Sequence, residues 1–312
     1  MTDLDVSAVI PAYNAARFIE RTLDSVRAQS RPVAETIVVD DGSTDETAAA
    51  VQGYFTRHGM AGRVLRQANR GQAAARNAGM RAARTALVAL LDSDDLWLSE
   101  KVALVVAEFD RHPDADIVCH DERVTRDGRV VRVSHRRLPR GSLYEALLFG
   151  GNLLSPSATV LRRDRALAAG GFDERREYVS VEDYDFWMRF SLVGRVRFLG
   201  RVLGEYVLRH GSSSRDIVSH HAALEGMLRA HLDAYGLAHP GVATRLRIRR
   251  RLSQVYRSAA RQLMTYGEAA DDQQALVGRM LRAYPFEPRN VAVALMWLAA
   301  SLRRTSGRPV QS

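Results

Sequence analysis

Short apolar runs at residues 6–10, 36–39, 64–65, 86–91 and 117–119 alternate with stretches of helical periodicity. In the first such stretch Phe18, Ile19, Thr22, Leu23 and Val26 share one face. This alternation predicts an α/β fold, a mainly parallel sheet built with right-handed crossovers. The second helix is expected to open at Ser43-Thr44-Asp45-Glu46, where Ser43 and Glu46 have capping-box spacing. Further on, residues 124–133 read as a hairpin around Asp127-Gly128, a common tight-turn pair.

Open parallel sheets bind ligands at the carboxyl ends of their strands. Acids and loop residues collect at those ends. Pro11-Ala12-Tyr13-Asn14 ends the first run, Asp40-Asp41 the second, and Asp92-Ser93-Asp94-Asp95 the run at 86–91. Three carboxylates in four residues repel one another unless water or a cation neutralises them. Hard oxygen ligands beside a buried strand suit Mg²⁺ or Mn²⁺ holding a diphosphate. The same acids could equally form a solvated turn that caps the helix behind them.

Four further motifs accompany that stretch. They are Val9-Ile10-Pro11-Ala12-Tyr13-Asn14; Ile37-Val38-Val39-Asp40-Asp41-Gly42-Ser43-Thr44-Asp45; Asn69-Arg70-Gly71 leading into Ala75-Arg76-Asn77-Ala78-Gly79; and Val181-Glu182-Asp183-Tyr184-Asp185-Phe186-Trp187, after Gly170-Gly171-Phe172-Asp173-Glu174. In this order and spacing the set resembles glycosyltransferase family 2, inverting nucleotide-sugar enzymes of GT-A fold, over roughly residues 4 to 214.

The resemblance implies a Rossmann-like, mainly parallel mixed sheet flanked by helices, over residues 1–215. A basic helical extension would occupy 216–312. It also implies roles. Asp41 would accept the imide hydrogen of a pyrimidine, with Pro11, Tyr13 and Asn14 in the same pocket. Arg76 would face ribose or phosphate, Asp92 the ribose, and Ser93 the donor. Asp94 would bind Mn²⁺ or Mg²⁺ through the diphosphate, and His210 would complete the metal shell. Asp183 matches the base that deprotonates the acceptor hydroxyl. Asp40, Asp95, Glu182, Asp185 and Trp187 would support these groups: Asp95 orienting its neighbours or capping a helix, Asp185 as another candidate base, Trp187 as core or as the floor under a sugar.

Composition bounds the setting. Cys119 is the only cysteine, so no internal disulfide can form, and a reducing compartment fits. Its neighbours place it in a buried strand. Residues 1–5 are acidic and run into the first apolar run, so no signal peptide is expected. No apolar stretch reaches the roughly 20 residues of a membrane-spanning helix. The expected location is therefore cytoplasmic, either free or peripheral at the inner face of the membrane.

The net charge of +9 is unevenly placed. Residues 240–312 hold thirteen arginines against four acids, which accounts for the whole surplus. Arg245, Arg247, Arg249, Arg250 and Arg251 fall within seven residues. Such a run is either a solvated helix face or an attraction to anionic lipid. Helical stripes are expected at Leu224, Met227, Leu228, His231, Leu232 and Tyr235, and again at Ile248, Leu252, Val255, Tyr256, Ala259 and Leu263. The apolar run at 291–300 would pack on the domain or lie in a membrane interface. Nucleic-acid binding is not expected, since no aromatic platform accompanies the charge.

The leading expectation is an inverting, metal-dependent glycosyltransferase of hexosyltransferase type. It would move a sugar from a nucleoside diphosphate, UDP for preference, to a glycan, lipid-linked or small-molecule hydroxyl. The alternative is a non-catalytic sugar-nucleotide or anionic-surface binding protein on the same scaffold. A dehydrogenase is disfavoured, because no G-x-G-x-x-G follows the first strand.

Overall fold

The computed structural model describes residues 4–208, 217–266 and 270–306. Contacts divide the chain into two compact units. One holds residues 1–147 and 151–212; the other holds 148–150 and 213–312.

Among the described residues the first unit carries one mixed sheet of nine strands: β1 (Val6–Ala12), β2 (Glu35–Asp40), β3 (Gly62–Arg66), β4 (Leu87–Leu90), β5 (Leu96–Trp97), β6 (Ile117–Arg126), β7 (Arg129–Ser134), β8 (Thr159–Arg162) and β9 (Val196–Leu208). They run in the order β3-β2-β1-β4-β8-β6-β9-β5, with β7 on β6. The half made of β3, β2, β1 and β4 is parallel. β8 enters antiparallel between β4 and β6, which makes the sheet mixed. β1 is buried at every position and β2 at all but its first, as parallel strands covered on both faces should be.

The crossovers are α1 (Ile19–Arg27), α2 (Thr47–His58), α3 (Gln72–Ala82) and α4 (Lys101–Arg111), followed by α5 (Leu143–Gly150), α6 (Arg163–Ala168) and α7 (Glu182–Phe190). α1 buries Ile19, Thr22, Leu23 and Val26, the face its periodicity predicts. α3 lies close on the sheet because Gly79 has no side chain. A Cβ there would meet Val9 Cγ1 at 2.3 Å and Val39 Cγ2 at 3.3 Å. The β6–β7 turn is the predicted hairpin: Asp127 and Gly128 both have positive φ, 49° and 74°, as a type I′ turn requires.

One local expectation is corrected. Ser43 and Glu46 form no capping box. α2 starts at Thr47 with Glu46 at its N-cap and no side-chain cap. Ser43 Oγ instead accepts from the Asn14 N–H at 3.0 Å. The reason is tertiary: the loop after β2 is stitched to the loop after β1.

The second unit is helical, with α8 (Ile217–Ala238), α9 (Val242–Tyr266), α10 (Ala270–Ala283) and α11 (Pro288–Ser306). α8 buries Met227, Leu228, Leu232 and Tyr235; α9 buries Leu252, Val255, Tyr256, Ala259 and Leu263. The arginine run at the start of α9 is no bare solvated face. Arg249 donates to the carbonyls of Ala283 and Arg282, Arg250 pairs with Glu287, and Arg251 is buried and donates to the Leu148 carbonyl. No described helix is long and apolar enough to cross a membrane.

Candidate active site

The ends of β1 and β2 are joined by side-chain bonds. Asn14 adopts φ 49°, and its Oδ1 accepts from the Thr44 N–H at 2.9 Å. Asp40 is wholly buried and accepts from the Ser43 N–H (3.0 Å) and Arg66 Nε (3.2 Å). Asp41 accepts from Gln67 Nε2 (2.7 Å) and from the backbone N–H groups of Arg70 (2.9 Å) and Gly71 (2.7 Å). A carboxylate offers about four acceptor positions, of which these donors take three. Tyr13 stands half exposed beside this loop, while Pro11 is buried within β1.

The acidic stretch behind β4 has a different anatomy. The Asp92 N–H donates to Ser157 Oγ (3.0 Å), and its Oδ1 accepts from Arg76 Nη2 (2.7 Å). The Ser93 carbonyl accepts from Thr22 Oγ1 (2.8 Å). Asp95 is buried; its Oδ2 accepts from Ser157 Oγ (2.6 Å) and its Oδ1 from the Val207 N–H (3.0 Å). It caps no helix, since β5 follows and the N-cap of α4 is Glu100. Burial pushes the Asp95 carboxyl up, reinforced by the charges of Asp94 and Asp92.

Arg76 links this stretch to α7. It is 2% exposed, not a solvated helix arginine; Nη1 donates to Glu182 Oε1 (2.8 Å) while Nη2 holds Asp92. Its guanidinium lies 5.4 Å from the centroid of the Phe172 ring. Asp183, next along α7, is half buried. Its Oδ1 accepts from the Tyr184 N–H (2.7 Å) and its Oδ2 from Asn152 Nδ2 (3.1 Å). Burial and the adjacent Glu182 charge raise its pKa to about 7, against the opposing pull of Arg76. Asp185 points elsewhere, is buried, and accepts from Arg189 Nε at 2.7 Å.

Trp187 cannot floor a sugar. It is 1% exposed, and its ring packs against Phe186 and Phe172 with centroids 5.0 and 6.0 Å away. Its place on the inward side of α7 makes it core. His210 lies outside the described residues.

Two polar residues that sequence reasoning missed are prominent. Ser157 holds both Asp92 and Asp95, while its carbonyl accepts from Lys101 Nζ (2.7 Å) and Trp97 Nε1 (3.2 Å). Asn152 has its own amide fixed by the Leu154 N–H on Oδ1 (3.1 Å), so its NH₂ group is turned to Asp183. Neither carried a signal in the sequence beyond lying on the approach to a strand.

Among the described residues no three His, Cys, Asp or Glu side chains converge as a ready metal site. The donor chemistry nevertheless fits a divalent cation. Burial and the charges of Asp95, Asp92 and Asp94 together push the Tyr206 hydroxyl strongly up, which marks a region of negative potential that a cation would relieve. Asp92 and Asp95 accept from protein donors, and Asp94, half-buried, lies between them in the sequence.

Comparison with known proteins identifies the family. The family model for glycosyl transferase family 2 matches residues 7–168, just over half the chain. The amylovoran biosynthesis glycosyltransferase AmsB of Erwinia amylovora is 31% identical over 227 residues, 69% of this chain and 74% of its own. This chain therefore belongs to glycosyl transferase family 2. It spans 61%, 29% and 20% of the lengths of three other curated relatives.

Solved structures agree on the fold, which is GT-A. S. aureus TarS 1–349 in complex with UDP-GlcNAc superposes with TM-score 0.66 at 21% identity, covering 93% of this chain and 84% of that one. The mannosyltransferase PcManGT from Pyrobaculum calidifontis, in complex with GDP-Man and Mn²⁺, gives 0.58 at 19%, covering 96% and 86%.

Proposed function

We propose that this chain is an inverting glycosyltransferase that moves a hexosyl group from a nucleoside-diphosphate sugar, UDP-linked by preference, to a hydroxyl acceptor, with Asp183 as general base. The observation that carries this reading is the setting of Asp183. Its carboxyl is held near pKa 7 by burial and by Glu182, close to the pH at which a base is most useful. A protein that only bound sugar nucleotides would gain nothing from that placement.

In this reading the acceptor O–H gives its proton to Asp183 as the oxygen attacks the anomeric carbon. The nucleoside diphosphate departs from the opposite face, so the configuration inverts. Arg76 keeps Asp92 on the donor side and Glu182 on the base side in fixed relation. Asp41 and Tyr13 would meet the base ring of the nucleotide. Asp94, with His210 from sequence, would hold Mn²⁺ or Mg²⁺, which when bound supplies charge neutralisation for the leaving diphosphate. A Mn²⁺-bound donor complex in PcManGT and a UDP-GlcNAc complex in TarS favour both parts of the reading.

Acceptors of this class are glycan, lipid-linked or small-molecule hydroxyls; AmsB, named for amylovoran biosynthesis, favours a role in polysaccharide biosynthesis of the cell envelope. The reading places the chain in the cytoplasm, in peripheral contact with an anionic membrane through its basic second unit.

Removing a base typically costs about 10²–10⁴-fold in rate. Asp183→Asn should lose turnover on that scale while UDP-sugar affinity, measured by calorimetry, persists. Activity kept by Asp183→Asn and lost by Asp185→Asn would move the base to Asp185. Asp94→Ala should remove the Mn²⁺-dependent part of UDP affinity; equal affinity with and without Mn²⁺ in the wild type would reject the metal.

A further inference from the structure

The basic run and the last helix are the two features of the helical unit suited to a membrane surface, and they are built differently. Arg249, Arg250 and Arg251 have polar partners inside the unit, so their charge is anchored there. α11 leaves its partners on one side only. Asn290 and Val293 are buried, whereas Val291, Leu295, Leu298 and Leu302 are 47–61% exposed. These four recur at intervals of four, three and four, which places them on one helix face over about 16 Å. Met296 and, just before the helix, Phe286 are exposed as well.

A continuous apolar strip of this kind marks an interaction surface. Charge selects its occupant. Arg289 stands exposed at the start of the strip, and Arg303 and Arg304 follow Leu302 in sequence. A second copy would bring the same arginine surplus of residues 240–312 to the contact and be repelled. An anionic bilayer offers the opposite charge above an apolar interior.

We propose that α11 lies in the plane of an anionic membrane interface, with Val291, Leu295, Leu298 and Leu302 inserted at the boundary between headgroups and acyl chains. This rests on the membrane contact in the reading above and locates it on α11 instead of on the arginine run. An amphipathic helix lying in the interface makes a one-sided contact whose strength scales with its buried apolar area.

Flotation of the full chain with vesicles of phosphatidylcholine, alone or mixed with phosphatidylglycerol, tests the assignment. The wild type should float with the anionic vesicles. The double variant Leu295→Ser/Leu298→Ser should bind them roughly tenfold or more weakly, as expected for loss of buried apolar contact. Its melting temperature should not change, because both side chains are exposed. Undiminished binding by this variant would overturn the role of α11 and leave the membrane reading standing. Failure of the wild type to bind any vesicle would overturn both. A concentration-dependent dimer in sedimentation, abolished by the same variant, would give the strip to a second copy and overturn the proposal.

Discussion

Asp41 and Asp183 are both carboxylates at the edge of the first unit, and their surroundings differ in kind. Asp41 receives two backbone N–H groups and the Gln67 amide, donors fixed by the loop it holds. Asp183 receives one backbone N–H and one side-chain amide, with Glu182 as its neighbour on the helix. An acid surrounded by rigid donors is scaffolding first, whatever it also offers a ligand. An acid short of donors and crowded by like charge is poised to take a proton. Asp40 falls with Asp41, whereas Asp95, buried beside Asp92 and Asp94 and held by the Ser157 hydroxyl and the Val207 N–H, shares the crowding of Asp183; an acid-rich sequence does not by itself say which carboxylate performs chemistry.

Arg76 maintains the contrast, so its loss should have the largest effect. Arg76→Met would leave Glu182 buried without its partner and free Asp92. Breaking a buried pair by removing one member costs about 3–5 kcal/mol. Urea unfolding should show a loss on that scale. A loss below about 1 kcal/mol would mean that Glu182 is not charged in the native state, and the account of Asp183 would then need another source of its raised pKa.

A smaller and more specific effect is expected at Asn152. The groups facing Asp183 are Glu182 and Asp92, which raise its pKa, and Arg76 and the Tyr184 N–H, which lower it. The Asn152 amide donates to the carboxylate and so favours the charged form. Removing it in Asn152→Ala moves the pKa further up. A base works only when deprotonated, so with Asp183 in the proposed role the rising limb of kcat/KM against pH should move to higher pH by about half a unit or more, for the loss of roughly 1 kcal/mol of hydrogen bonding. Activity should fall a few-fold near pH 7 and recover in more alkaline buffer. A limb that stays in place would show that Asn152 does not act on the base.

The parts of this molecule legible in its sequence are those that local physics decides. β1, β2 and β4 are continuous apolar runs because both faces of a parallel strand are covered, and the Asp127-Gly128 turn is visible because few residue pairs tolerate two positive φ values. The placement of β8 between β4 and β6 was not legible, since nothing local records which strands will pair. The site divides the same way. Asp92 to Asp95 announce themselves by crowding, whereas Ser157 reaches them across more than sixty residues from a single 3-10 turn, Pro156–Ala158, too short to show a period. For the arginine run, composition reported a charge and was silent about its partners. Ser43 and Glu46 had the spacing of a cap and lost it to Asn14, a tertiary contact overriding a local rule.

The chain has one lysine and one cysteine, and both are wholly buried. Lys101 Nζ lies 3.9 Å from the centroid of the Trp97 ring and donates to Ser157, and burial lowers its pKa well below the ordinary lysine value. Cys119 sits inside β6, its thiol pushed up by burial. The folded molecule thus presents no side-chain amine or thiol to acylating or alkylating reagents. Reaction at Lys101 or Cys119 requires the packing around it to open, so the rate at which a label appears at either position reports that opening. Two unique side chains, each shielded by the packing it supports, serve as internal clocks for the unfolding of the unit that would carry the chemistry.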